Sequence, residues 1–211
     1  MSAPVTGPGD DLRALTPRQL DALREVANIG AGHAATALSQ MTDQRIMISV
    51  PQLSIATIDD MPNQIAEPEE PVAAVLMKME GDLTGLTLLV FPHPIALRVA
   101  GLMMRRKVTT LGAIEESAIK EAGNILSAAY LNALADFLRM TLLPSPPSLA
   151  VDMSDAVLSS TFVASAHGAS QVVCVESEFQ LQEDDERLRG FFLLLPDPPS
   201  LQKILQAIKV A

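Results

Sequence analysis

The sequence carries one arrangement of potentially functional side chains twice. Asp21, Glu25, Asn28 and Pro51 are spaced as D-x3-E-x2-N-x22-P, and Ser117, Glu121, Asn124 and Pro147 as S-x3-E-x2-N-x22-P. Each member of the second set lies 96 positions after its counterpart. With Glu, Asn and Pro each near one position in twenty, a given start matches this pattern roughly once in 8000. Glu and Asn on an exposed helix face are ordinarily just solvated surface. Repetition at identical spacing sets these apart. On a helix, positions 21, 25 and 28 share one face, being i, i+4 and i+7. That face continues through Gly32, Ala35 and Ser39, offset from the leucine-rich stripe. It is expected to face solvent and to be flat enough for another protein to approach. Asp21 and Glu25 are like charges at i, i+4, which costs a few tenths of a kcal/mol in an isolated helix. Nothing in the local sequence offsets this cost, which favours a role in binding.

Two long helices must carry these faces. Thr16-Pro17-Arg18-Gln19 has a Thr N-cap, Pro at the first helical position and Gln at the third, so a helix is expected over 17–41. Its counterpart is expected over 113–140. Strands are expected over 44–50, 53–58, 72–79 and 83–91, with a Pro/Glu-rich loop at 62–71 and a hairpin joined at Glu80-Gly81-Asp82. A shorter helix, 94–104, closes the first half. The second half repeats the order, with a Pro-rich break at 144–147, strands over 149–153, 156–165, 170–179 and 187–195, and a closing helix over 198–210. Gly85-Leu-Thr-Leu-Leu-Val-Phe-Pro92 matches Gly190-Phe-Phe-Leu-Leu-Leu-Pro196 with one residue fewer. An internal duplication follows. The expected organisation is a disordered tail over 1–11 and a single domain over 12–211, built from repeats at about 12–106 and 107–210.

Composition narrows the classes of function. The chain has 211 residues, 48% hydrophobic, with 3% aromatics and no Trp, so its core must be aliphatic. A formal net charge of -10 argues against nucleic-acid binding, which needs clustered cations. The lone Cys174 excludes an internal disulfide, and its apolar setting marks a core strand residue. His33, His93 and His167 are scattered without an i, i+4 pairing, so no metal site is expected. Gly30-Ala-Gly-His-Ala-Ala-Thr-Ala37 lies mid-helix, so it reads as close helix packing rather than a phosphate loop. The acidic run over 183–186 reads as a hairpin loop. No secretory signal is apparent, and no run reaches the ~18 apolar residues of a membrane helix. A cytoplasmic protein without membrane contact is expected.

The two polar sets, together with Glu25-Val-Ala-Asn-Ile-Gly-Ala-Gly-His-Ala-Ala-Thr-Ala-Leu38, resemble the CheC/CheX/FliY phosphatases of bacterial and archaeal chemotaxis. The resemblance spans about residues 12–209. Two sites in one chain, without an added flagellar-switch domain, are similar to the CheC type. The resemblance implies an α/β fold of the α+β type: a pseudo-twofold duplicated unit with two long helices side by side on an antiparallel sheet, plus two shorter helices. It implies a protein aspartyl-phosphate phosphatase acting on a phosphorylated CheY-type response regulator. Asn28 and Asn124 would each orient a water in line with the P–O bond, and Glu25 and Glu121 would pair with a Lys of the receiver. Asp21 and Ser117 would contact the same partner surface. Pro51 and Pro147 would shape the chain after each helix, with no chemistry of their own.

An acyl phosphate is already activated, so positioning and charge complementarity suffice for catalysis. That agrees with sets containing no His, Cys or Arg. No cofactor of its own is expected, Mg2+ being supplied by the partner receiver. A CheD-type deamidase is a further partner that the resemblance implies. The alternatives are a non-catalytic adaptor binding the receiver or CheD, and a structural element of the flagellar switch.

Overall fold

The computed structural model describes residues 15–49, 51–57, 65, 67, 69–164, 171–181 and 186–210. In chain order its elements are α1 (Pro17–Thr42), β1 (Ile46–Ile48), β2 (Gln52–Thr57), β3 (Pro71–Gly81), β4 (Gly85–Pro92) and α2 (His93–Met104). There follow α3 (Ala113–Leu138), β5 (Leu142–Pro144), β6 (Ser148–Met153), α4 (Ser154–Ala164), β7 (Gln171–Leu181), β8 (Glu186–Pro196) and α5 (Pro198–Val210).

Local chemistry sets the helix ends. The Thr16 hydroxyl accepts from the Gln19 N–H, and the Gln19 side-chain oxygen accepts from the Thr16 N–H at 2.9 Å, closing a capping box. α1 stops at Asp43 and α3 at Arg139, both left-handed at φ 57° and 56°. At Arg139 the backbone N–H returns to Ala135 and Asp136 carbonyls, satisfying groups the helix leaves free.

The eight strands form one antiparallel sheet in the order β1-β7-β8-β4-β3-β5. β2 also pairs with β7, and β6 with β3. Each half therefore donates its short strands to the hairpin of the other half, around the central β4–β8 pair. The register repeats residue for residue. Ile46 faces Leu181 as Leu142 faces Gly81, and Gln52 faces Glu176 as Ser148 faces Leu76.

The sheet is buried on both faces. Ala73, Val75, Met77, Leu89 and Phe91 pack beneath α1, α2, α3 and α5. Alternate residues Val72, Ala74, Leu88 and Val90 point the other way, against Val157 and Leu158 of α4. Alternation of side chains along a strand explains how two such cores share one backbone.

Three sequence expectations change. Residues 156–164 form most of α4 and not a strand. Val157, Leu158 and Thr161 are its buried positions, at i, i+1 and i+4, and Thr161 Oγ1 donates to the Val157 carbonyl at 2.8 Å. The shorter helices described are consequently three, α2, α4 and α5, rather than two. Residues 142–144, read as loop and proline break, form β5. The tail at 1–11, His167, half of the loop at 62–71 and residues 183–185 of the acidic run lie outside the described residues.

Candidate functional site

Two close contacts decide which way the long helices turn. A Cβ on Gly30 would stand 2.6 Å from Tyr130 Cδ1 and 3.0 Å from Tyr130 Cα, so α1 and α3 touch at this point. A Cβ on Gly123 would stand 2.7 Å from both methyls of Val75, so α3 lies directly on β3. Successive helical residues rotate by about 100°. With Gly123 against the sheet, Asn124 therefore emerges on the flank of α3, where it is half-buried. Tyr130 anchors this crossing. Its hydroxyl shares a 2.5 Å hydrogen bond with Ser177 Oγ, and its ring stacks on Phe192 with centroids 4.7 Å apart. Burial pushes the Tyr130 phenol up to about 12, so it stays neutral.

Asp21, Glu25 and Asn28 stand exposed on α1, and Ser117 and Glu121 stand exposed on α3. Each helix carries its own set, and the two sets correspond through the same 96-residue relation as β1 with β5 and β2 with β6. Asp21 is not an unbalanced charge. It accepts from Arg24 Nη1 at 2.8 Å, an i, i+3 ion pair that offsets the repulsion from Glu25 expected from sequence. Ser117 Oγ donates to the Ala113 carbonyl at 2.8 Å. Among the described residues, the side chains of Glu25, Asn28, Glu121 and Asn124 have no hydrogen-bond or ion-pair partner. Four groups able to bind strongly are thus left for something outside the chain.

The face also ends sooner than the helical period suggests. Gly32 is exposed with open space above it, but Ala35 and Ser39 are half-buried. Ser39 Oγ donates to the Ala35 carbonyl at 2.7 Å and accepts from the Ile46 N–H at 3.0 Å, fastening β1 to the helix.

Pro51, buried, and Pro147, half-buried, occupy matching junctions between β1 and β2 and between β5 and β6. Just before them the ladder continues through Ser49 N–H to the Glu178 carbonyl and Ser145 N–H to the Lys78 carbonyl, both 2.9 Å. A proline has no N–H to donate, so it interrupts an edge strand without leaving a donor unpaired.

α3 starts differently from α1. Gly112 precedes it, its N–H donating to Glu115 Oε2 at 3.1 Å, and Arg106 ion-pairs with the same carboxylate. The Glu115 backbone N–H, then those of Gly112 and the Arg106 guanidinium, hold this carboxyl below its usual range.

Sequence reasoning missed the apolar side chains beside these sets. Ile29 is 42% exposed next to Asn28, Ile114 is 68% exposed three residues before Ser117, and Val151 and Met153 are 39% and 46% exposed on β6. Ile114 shares the helical face of Ser117 and Glu121, a relation the sequence does contain. Among the described residues no helix is long and apolar enough to cross a membrane.

A model of the CheC-like family matches residues 19–55 and 114–151, so each matched stretch contains one full polar set. The chain is 33% identical to the CheY-P phosphatase CheC of Bacillus subtilis, across 90% of this chain and 93% of that protein. It is 30% identical to the flagellar motor switch phosphatase FliY of the same organism, across 63% of this chain but 35% of that protein. The solved structure of Thermotoga maritima FliY superposes with a TM-score of 0.77 at 24% identity, covering 93% of this chain and 98% of that one.

Proposed function

The chain belongs to the CheC-like family, and from that premise we propose that it is a phosphatase of CheY-type response regulators in chemotaxis signalling. It hydrolyses the aspartyl phosphate of the receiver, using one Glu/Asn pair on each long helix. The observation that carries this reading is the condition of the two pairs: Glu25 with Asn28, and Glu121 with Asn124, stand on matching helix flanks with no partner among the described residues.

The chemistry asked of the chain is modest. Water adds to phosphorus, the bond between phosphorus and the aspartyl oxygen breaks, and inorganic phosphate leaves the regenerated carboxylate. The side-chain oxygen of Asn28 or Asn124 accepts a hydrogen bond from the attacking water and aims its lone pair along the breaking bond. A carboxamide keeps this role across pH because it does not titrate. Glu25 or Glu121 pairs with a cationic side chain of the receiver and fixes the register of docking. Mg2+ would be held by the receiver, where it would supply positive charge to the phosphoryl oxygens.

Phosphate release from a phosphorylated receiver with Mg2+ tests this reading. Wild-type chain accelerates release, and the double variant Asn28→Ala/Asn124→Ala loses roughly a hundredfold or more of that acceleration while still binding the receiver. Equal rates with and without the chain, at concentrations where the receiver is bound, would instead establish an adaptor.

A further inference from the structure

We propose that the second site docks its receiver through an apolar rim, formed by Ile114 of α3 with Val151 and Met153 of β6, in place of which the first site has Arg18, Ile55 and Thr57. The proposal rests on the catalytic reading of Glu121 and Asn124 and names what the partner must present beside its phosphoaspartate: a patch of apolar side chains.

The placement follows from register. Val151 lies opposite Ala73 and Leu149 opposite Val75 in the antiparallel β3–β6 pair. Directly opposed residues point to the same face of a sheet. Ala73 and Val75 belong to the core beneath the long helices, so Leu149, Val151 and Met153 line the helix side of the sheet edge. Gly123 rests on Val75, which sets α3 alongside this strand. The C-terminus of α3 leads into β5, which pairs with the Gly81 end of β3, so its N-terminal turns lie toward Pro71. Pro71 pairs with Met153. Val151 and Met153 therefore flank the turns that carry Ser117 and Glu121. Ile114 completes the rim, seven residues before Glu121 on the same helical face.

These are large apolar groups left in water: Ile114 is 68%, Met153 46% and Val151 39% exposed. Singly each would be unremarkable. Together they edge one polar centre, in the manner of apolar contacts that exclude water beside a few strong polar ones. The corresponding positions of the first half, 96 residues earlier, hold Arg18, Ile55 and Thr57. The first site thus has Arg18 and the Asp21–Arg24 ion pair beside its exposed Ile29, where the second has Ile114, Val151 and Met153.

Single-site proteins separate the two. In an Asn28→Ala background, which reports the second site, Ile114→Ser/Val151→Thr/Met153→Gln raises KM for the phosphorylated receiver roughly tenfold and leaves kcat within about twofold. In an Asn124→Ala background, which reports the first site, the same three changes leave KM as it was. Ile114→Ser alone, at a mostly exposed position, raises KM of the second site about threefold with an unchanged melting temperature. An unchanged KM in the Asn28→Ala background would overturn the rim. So would an equal rise in both backgrounds, which would mark general damage. Phosphate release indifferent to both asparagines would overturn the catalytic reading and the rim with it.

Discussion

The two long helices carry the same three polar positions at the same spacing, yet their surroundings are not copies. α1 opens with a Thr16/Gln19 capping box, and its set is edged by charge, with Asp21 tied to Arg24. α3 opens from Gly112 with Glu115 held by Arg106, and its set is edged by Ile114, Val151 and Met153. The interior differs in the same direction. Tyr130 and Cys174 are buried in the second half where the first has the smaller Ala34, by the helix spacing, and Ala74, by the matching registers of β6 on β3 and β2 on β7. A duplicated fold has kept the polar spacing constant while its rims and its core diverged. Conserving the spacing within one chain, against that divergence, is what a function shared by the two faces would require.

The sharpest way to break the comparison is to invert one charge on one side. In a protein reporting a single site, Glu25→Lys or Glu121→Lys places a cation where the receiver is expected to offer one. Binding at that site then weakens by about a hundredfold, read as KM, and the other site is unaffected. A loss at both sites from one reversal would mean that the faces are not independent.

Two glycines on α1 give a smaller effect of opposite signs. Gly30→Ala drives a methyl into the Tyr130 ring and backbone, at a cost of ~1–3 kcal/mol that the better helix propensity of Ala only partly offsets. Gly32→Ala meets nothing within 4 Å and gains about 0.5–1 kcal/mol. Thermal melting should move down for the first and up for the second. Equal shifts would show that the α1–α3 crossing is looser than the 2.6 Å approach implies.

Alkaline pH probes the difference in the cores. Burial pushes the Cys174 thiol up to about 12 from its ordinary value near 9, with a hydrogen bond from Ser54 working against it. Above pH 9 the unfolded chain releases this proton while the folded chain retains it, so ionisation favours unfolding. Stability is intact below pH 9 and falls by about 1.4 kcal/mol per pH unit as the pH rises toward 12. Cys174→Ala, which restores the residue found in the first half, should flatten that slope between pH 9 and 10 in denaturant titrations. Tyr130 adds its own loss only above pH 10.

Salt gives the smallest contrast. Raising ionic strength screens Arg18, Asp21 and Arg24 around the first site, so its KM should rise a few-fold more than that of the second.

Much of this was legible before any coordinates. Both long helices, their polar faces and the repetition of one half in the other follow from local signals: a cap, a proline at the first turn, a 3.6-residue period and a repeat. α4 was not legible. Ala156-Val-Leu-Ser-Ser-Thr-Phe-Val-Ala164 is a short apolar run, which reads equally well as strand or helix. The repeat gave no help there, because the matching stretch at 58–68 holds two prolines and three acidic residues. β5 was hidden by its terminal proline, although the 96-residue shift from β1 pointed to it. At the sites, the outward direction of Asn28 and Glu121 could be read from the helical period. The Asp21–Arg24 pair could have been read as well, since i, i+3 opposite charges meet on a helix. Val151 and Met153 could not, because their position beside α3 depends on how β6 registers against β3.

The most direct test compares four proteins in one phosphate-release assay: wild type, Asn28→Ala, Asn124→Ala and the double variant, each with saturating phosphorylated receiver and Mg2+. Two separate catalytic faces predict that each single variant keeps a rate well above the double variant, and that the two residual rates sum to the wild-type value. If both single variants are already as slow as the double, the asparagines serve one site together; if only one is, the other helix carries no catalysis; either result contradicts the picture of a catalyst on each helix.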